Sequence, residues 1–318
     1  MKTAMSDYAL TPQEITAMRR LAHGGSSIGE LATTMDLSAG STSKVVGSLL
    51  RKGLVSKRKE GLRSIVEPSE NTHAQDLSEL VLAYAAVPWE NVLSYSNLPV
   101  LSRNLEDIEF PISLSQSTEW RVERNLGLYG LPPVKRNSAL RLKLEQFITS
   151  YVQFARRRLA DKLLPKDHVI LWAKGFSFIA KTRKGEVSES PSLKKTSFSA
   201  FPSYGIRFIT DSEYFFHNPI QKTLTLEDIV IHTILMDPSS RTNIGYATLL
   251  LLKEESNVNL DALLQKGRLL DIEATVKDVI SLVKTHRTLE ERSMPSWGDI
   301  QELAQLYEVK LKNGNKTI

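Results

Sequence analysis

The first thirty residues carry two helix start signals, each followed by apolar residues at helical spacing. Residues 11–14, Thr-Pro-Gln-Glu, combine an N-cap, a proline at the first helical position and a capping-box glutamate. They predict a helix over 12–22. Residues 27–30, Ser-Ile-Gly-Glu, are a second capping box and predict a short second helix.

A third predicted helix has two contrasting faces. Ser38 supplies its N-cap, and Gly53 follows its end. At 100° per residue, one face is apolar or small and is expected to be buried: Thr42, Val45, Val46, Leu49 and Leu50. The opposite face has no acid and collects small, hydrogen-bonding and cationic residues: Gly40, Ser41, Lys44, Gly47, Ser48 and Arg51. Such a face suits the major groove of DNA.

Two short alternating runs predict a hairpin after this helix. The runs are 54–56 and 63–66, joined through the basic segment 57–61. Over 44–63, seven Lys or Arg residues face Glu60 alone, whereas the whole chain balances 41 Lys and Arg against 36 Asp and Glu. A local positive excess is typical of a surface that binds a polyanion, although a set of solvated helix faces would give the same count.

This order of elements is that of a winged helix-turn-helix, in which the third helix enters the groove and the hairpin, or wing, contacts phosphates. Residues 37–55 resemble the winged helices of MarR-like regulators, and the resemblance covers 10–70. The alternative is a helix-turn-helix that binds only protein. The predicted DNA-binding residues are Gly40, Ser41, Lys44, Ser48, Arg51, Lys52, Lys57, Arg58, Lys59 and Arg63.

The middle of the chain predicts a second, degenerate winged helix and a basic connecting helix. Residues 114–128 echo the segment around the third helix. Over 71–134, however, three arginines face eight acids. Acids near the DNA backbone repel it, so this charge favours a protein-facing or spacer role. A long helix over 140–165 carries Arg156-Arg157-Arg158, which could contact DNA flanks or pair with the acidic segment.

Strand patterns come first and helical patterns follow in the C-terminal half, which predicts an α+β domain. Strands are expected at 168–173, 176–180, 205–210 and 214–219, and helices at 226–236, 243–254, 260–270, 272–286 and 297–307. The stretches 204–210 and 224–235 resemble a domain of archaeal-type winged-helix regulators. More distantly, they resemble antitoxins of abortive-infection systems whose toxin is a nucleotidyltransferase. Aromatic residues crowd the predicted strands, so some are expected to line a pocket or a partner surface.

No catalytic motif occurs in a workable context. Residues 25–29 fit G-x-S-x-G, but a helix and a turn precede them instead of a strand. Asp228 lies one helical turn before His232, yet no nucleophile accompanies the pair. The six histidines are not at metal-ligand spacing, and the chain has no cysteine. We therefore expect no enzyme activity, no metal and no cofactor.

The sequence thus predicts a mostly α protein with small β elements, divided into a winged helix-turn-helix (1–87), a degenerate second winged helix (88–166) and a C-terminal α+β domain (167–318). The longest uncharged apolar stretch, 80–89, is too short for a membrane span, so a cytoplasmic protein is expected. The predicted function is a transcriptional regulator that reads double-stranded DNA with the helix at 38–52 and the basic wing at 57–63. The protein is expected to be a homodimer, with a helix at 77–84 in the interface between the two copies. Its C-terminal domain would bind a small-molecule effector or a protein partner. The alternative is an antitoxin-like protein that neutralises a nucleotidyltransferase toxin and regulates its own operon.

Overall fold

The computed structural model forms two compact units instead of the three predicted domains. It describes residues 8–94, 97–102, 105, 115–129, 131, 139–208, 210–221, 223–287 and 294–311. The first unit covers the described residues up to Lys162 together with Lys174–Phe176, and the second covers Leu163–Ala173 and the described residues from Ser177 onward. Within the described residues, every helix is too short or too polar to cross a membrane.

The first unit begins with the predicted winged helix-turn-helix. Its elements are α1 (Pro12–Leu21), β1 (Ser26–Ser27), α2 (Ile28–Met35), α3 (Ala39–Arg51), β2 (Val55–Glu60) and β3 (Arg63–Pro68), with the strands ordered β1-β3-β2. Further helices follow: α4 (Thr72–Ala83), α5 (Trp89–Val92), α6 (Leu98–Leu101), α7 (Gln116–Leu128) and α8 (Ala139–Leu163).

The predicted helix starts are confirmed by their capping bonds. The side chains of Thr11, Ser27 and Ser38 each accept a hydrogen bond from a backbone N–H in the first turn of their helix. The hairpin is longer than predicted, because residues 57–60 continue β2 and the turn lies at Gly61 and Leu62. Antiparallel pairing places these extra residues opposite β3, which keeps the basic side chains on a regular strand.

A single hydrophobic core joins the winged helix-turn-helix to residues 88–162. Trp89 of α5 and Phe147 of α8 are buried in the same cluster as Leu49 of α3. The described part of 88–162 is helical and contains no strand, so any wing of the predicted second winged helix lies outside the described residues. Residues 88–162 therefore pack with the winged helix-turn-helix in one unit and do not form the separate domain that the sequence predicted.

The helix at 77–84, which is predicted to form the dimer interface, is buried on one face and exposed at Leu82. Leu77, Leu80 and Val81 of α4 are buried in the core of their own chain. An interface formed by this helix would therefore use exposed residues such as Leu82, and the homodimer stays a prediction.

Helix α8 closes against the end of α3 at a glycine. Gly53 has φ +63°, in the left-handed region, and a Cβ atom there would lie 2.5 Å from Cζ of Phe154. The backbone oxygen of Gly53 accepts hydrogen bonds from the Ser69 hydroxyl and, at 2.8 Å, from the Asn71 amide. Glycine is therefore required here both by conformation and by space.

The second unit contains a four-stranded sheet followed by helices. Its strands are β4 (Val169–Lys174), β5 (Ser177–Arg183), β6 (Leu193–Lys195) and β7 (Ser212–His217), in the order β4-β5-β7-β6. Two 3₁₀ helices, Ser197–Ser199 and Phe201–Tyr204, lie between β6 and β7. The helices are α9 (Leu226–Leu235), α10 (Arg241–Lys253), α11 (Leu260–Leu269), α12 (Glu273–Thr285) and α13 (Trp297–Leu306), close to their predicted bounds.

The strand predicted at 205–210 is wrong for the residues described there. Gly205 has φ +72° and ends the 3₁₀ helix, and its backbone oxygen accepts a hydrogen bond from Lys253. Ile206 is buried, and the ring of Phe208 contacts those of Phe198 and Tyr246. The apolar alternation therefore reflects burial of an irregular segment.

Substitution at Gly53 and at Gly61 of the wing turn tests the role of Phe154. Gly61 also has positive φ (+61°), but nothing lies within 4 Å of a Cβ there. We expect Gly61→Ala to lower the free energy of unfolding by about 1–2 kcal/mol through backbone strain alone. Gly53→Ala should cost clearly more, measured by urea unfolding. Equal losses for the two variants would contradict the proposed close approach of α8.

Candidate nucleic-acid interface

The polar face of α3 is on the protein surface as the sequence predicted. Gly40, Ser41, Lys44 and Arg51 are exposed, and Ser48 is half-buried. On the opposite side, Thr42, Val45, Val46 and Leu49 are buried, and Leu50 is half-buried. The helix therefore presents a surface of hydroxyl, glycine and cationic groups without an acid.

The N-terminal end of this face is held by the capping residue. The Ser38 hydroxyl donates a hydrogen bond to the Ser41 hydroxyl oxygen at 2.9 Å and accepts one from the Ser41 N–H. Ser41 is thereby fixed in the first turn of α3. A hydroxyl in this position can both donate to and accept from a base edge.

The prediction that Lys52 contacts DNA is wrong, because this residue is buried. Its ammonium lies 2.6 Å and 2.7 Å from the two carboxylate oxygens of Glu14 in α1 and also donates to the backbone oxygen of Ala9. Lys52 is 3% exposed and Glu14 2%. A cation at the C-terminal end of a helix also interacts favourably with the helix dipole. Lys52 is a structural residue that joins α3 to α1.

The wing separates its cations onto two faces. Lys57 pairs with Val66 and Lys59 with Ser64, so these four side chains share one face, which contains no acid. Arg58 is on the other face, where it forms ion pairs with Glu67 at 3.2 Å and Glu60 at 3.6 Å.

The remaining predicted wing residue, Arg63, is also exposed but lies directly opposite Glu60. The positive excess of the wing is therefore concentrated at Lys57 and Lys59. Residue spacing could show the alternation but not which acids lie opposite each cation.

A cavity of about 590 Å³ lies at the C-terminal end of α3 and includes residues of α8, of which sequence reasoning named Arg158 but missed Lys162. It is lined by Ser48 and Arg51 of α3, by the N-terminal segment, by the paired Glu14 and Lys52, and by Arg158, Asp161 and Lys162 of α8. The sequence left two roles open for the run of arginines at 156–158, contact with DNA flanks and pairing with the acidic segment. The position of Arg158 beside Arg51 of α3 favours contact with DNA. The run itself was visible in the sequence, but its position was not.

Asp228 and His232, which the sequence placed one helical turn apart, belong to hydrogen-bond networks inside the second unit. Nδ1 of the buried His232 is 2.7 Å from the Thr196 hydroxyl, whereas Asp228 binds other groups. Its carboxylate accepts hydrogen bonds from Lys266, from the Gln221 amide at 2.6 Å and from the Thr225 N–H at 2.9 Å. Asp228 therefore does not hydrogen-bond His232, as a catalytic pair would require.

Burial determines the charge state of two histidines in this unit. Burial lowers the pKa of His232 to about 4, against the opposing effect of the Asp228 charge. Burial likewise lowers the pKa of His217 to about 4, and its ring stacks on Phe178 at 5.0 Å. Although burial alone would raise the pKa of Asp228, hydrogen bonds from Lys266 and the Thr225 N–H lower it.

The aromatic residues of this unit mainly contact one another. Phe198 has ring contacts at 5.0–5.6 Å with Phe201, Phe208, Tyr214 and Tyr246. A smaller cavity, about 240 Å³, is lined instead by polar residues with a few apolar ones, including Lys194, Lys195, Ser199, Ser203 and Tyr204. Among the described residues, no group of His, Asp and Glu is arranged to hold a metal ion.

Two family models match parts of the chain. Residues 9–62 match the MarR family, which confirms the MarR-like winged helix-turn-helix. Residues 190–309 match HVO_2833_C, a C-terminal domain. Neither curated proteins nor solved structures gave a match. The resemblances to archaeal-type regulators and to antitoxins stay predictions.

Lys52 can be tested against its exposed neighbour Arg51. Lys52→Met leaves the Glu14 carboxylate buried without its cation, and we expect it to lower the free energy of unfolding by about 3–5 kcal/mol. Arg51→Met, on the exposed face, should change it by no more than about 0.5 kcal/mol. Urea unfolding measures both, and the double variant Glu14→Leu/Lys52→Met should recover much of the loss. A stable Lys52→Met protein would contradict the structural role of this pair.

The buried histidines predict a pH dependence of stability. Between pH 6.5 and about 4 the unfolded chain binds protons that the folded chain does not, so the free energy of unfolding should fall as the pH falls. Replacing His217 by Phe removes one such group and should reduce the loss between pH 7 and pH 5 by about 2 kcal/mol. An unchanged loss in the His217→Phe protein would contradict the lowered pKa of this histidine.

Proposed function

We propose that this protein is a transcriptional regulator that reads duplex DNA with α3 in the major groove and contacts phosphates with its wing. The observation that carries the proposal is the exposed, acid-free face of α3, with Ser41, Lys44, Ser48 and Arg51 in one strip. The match of residues 9–62 to the MarR family supports a DNA-binding regulator and favours a regulatory protein over an enzyme.

Within this proposal the cations have two different roles. Lys44 lies in the middle of the α3 strip, where a side chain reaches base edges. Lys57 and Lys59 extend from the acid-free face of the wing and are assigned to phosphates, which give affinity without sequence information. Arg158 and Lys162 are additional phosphate contacts, since they line the cavity beside Arg51.

The second unit is proposed to bind an effector or a partner. Support comes from its polar cavity, which is lined by Lys194 and Lys195, by the hydroxyls of Ser199, Ser203 and Tyr204, and by Glu189. Lys195 is also ion-paired with Glu213 at 2.6 Å, so Lys194 is the cation assigned to a ligand. Binding as a homodimer is also part of the proposal, because one winged helix reads few base pairs and a second copy adds specificity.

The salt dependence of binding tests the wing. Each phosphate contact contributes about 0.9 to the slope of log K against log salt concentration. Lys57→Gln/Lys59→Gln should therefore reduce the slope by about 1.8. The matched variant Arg58→Gln/Arg63→Gln, which removes cations lying near acids, should reduce it less. Equal reductions would contradict the division of the wing into two faces, and no reduction in either variant would contradict the wing assignment.

Sequence preference tests α3. Binding-site selection with Lys44→Ala should return a changed motif, because this residue is assigned to base edges. Lys59→Gln should return the wild-type motif with weaker binding, since phosphates carry no sequence information. If Lys44→Ala keeps the wild-type motif, α3 does not read the bases in the way proposed.

A further inference from the structure

Helix α7 repeats the construction of α3. Both helices span thirteen residues, and Ser115 caps α7 by accepting a hydrogen bond from the Thr118 N–H, as Ser38 does in α3. Val122 and Leu126 are the buried residues of α7 and hold the same places in it as Val45 and Leu49 hold in α3.

The matching positions continue beyond the helices. Leu54 follows α3 and Leu131 follows α7 at equal distance, and both are buried in the core of the first unit. The two helices therefore turn corresponding faces towards the core.

The exposed face of α7 then corresponds to the face of α3 that is proposed to read DNA. Arg121 holds the place of Lys44, and Asn125 holds the place of Ser48. The other exposed residues on this side are Gln116, Ser117, Trp120, Arg124 and Leu128. Together with Arg121 and Asn125 they form one open surface on α7.

The two acids of α7 do not lie on that face. Glu119 and Glu123, the two acids of α7, are half-buried on its flank and each has an interaction of its own. They occupy the places of Thr42 and Val46, which are buried in α3. The acids of α7 therefore do not argue against phosphate contact by its exposed face.

The chemistry of the face fits duplex DNA. Arginine binds guanine and asparagine or glutamine binds adenine through paired hydrogen bonds in the major groove. The Arg124 guanidinium lies 5.5 Å from the centre of the Trp120 ring, which positions a cation on the surface. Trp120 and Leu128 are 61% and 77% exposed, and apolar side chains in such a strip contact thymine methyl groups.

We infer that α7 is a second DNA-reading helix, so that one chain carries two major-groove elements. The inference rests on the proposed function of α3 and extends it. Two such helices in one chain would read a site with two blocks of sequence, one for each helix.

The test uses full-length protein and the DNA selected by the wild type. Asn125→Ala should change a block of the selected motif that Lys44→Ala leaves intact. Arg121→Gln/Arg124→Gln should reduce the salt slope by up to about 1.8, whereas Lys181→Gln/Lys184→Gln, two exposed cations of the second unit, should leave it unchanged.

A gain-of-charge variant keeps the inference testable even if the loss-of-charge variants fail to fold. Leu128 holds the place of Arg51 and is exposed, so Leu128→Arg should steepen the slope by about 0.9 without loss of stability.

An unchanged slope and motif in all α7 variants, with the α3 and wing effects intact, would overturn this inference and leave the proposed function standing. Loss of a protein oligomer by Arg121→Gln/Arg124→Gln at an unchanged slope would also overturn it, because the face would then bind protein. Loss of effect in the α3 and wing variants as well would contradict the proposed function itself.

Discussion

The proposed reading helix is fixed to the rest of the first unit by the buried ion pair between Lys52 and Glu14. Lys52 ends α3, and Glu14 belongs to the capping box of α1, where its carboxylate also accepts a hydrogen bond from the Thr11 N–H. One carboxylate thus holds the start of one helix and the end of another. Because a buried charge without its partner is costly, the two helices are held in a defined relation.

Packing on the other side of the same junction adds a second restraint. Gly53, directly after Lys52, leaves room for the Phe154 ring of α8, and His73 of α4 contacts the Lys52 backbone oxygen at 3.0 Å. Burial lowers the pKa of His73, which favours its neutral form there. The end of α3 is therefore surrounded by α1, α4 and α8, while its polar face stays exposed.

The two units differ in where their charged and aromatic residues lie. The first concentrates exposed positive charge on α3, the wing and the end of α8. In the second unit the buried Asp228 pairs with Lys266, and the aromatic rings contact one another. A binding role for the second unit therefore depends on its polar cavity at Lys194 and Lys195 more than on an aromatic surface.

The sequence by itself determined the helices and the faces of α3, because capping residues and apolar spacing act within a few positions of one another. It also located the C-terminal helices, whose apolar spacing is strong. Only the tertiary structure decided that Lys52 is buried while Arg51 is exposed, since the acid that pairs with Lys52 lies on another helix. The same holds for Arg158 beside Arg51, and for the acids of α7 that lie off its exposed face. A charge count along a chain records which cations and acids are present, but their distances are set by packing between elements far apart in sequence.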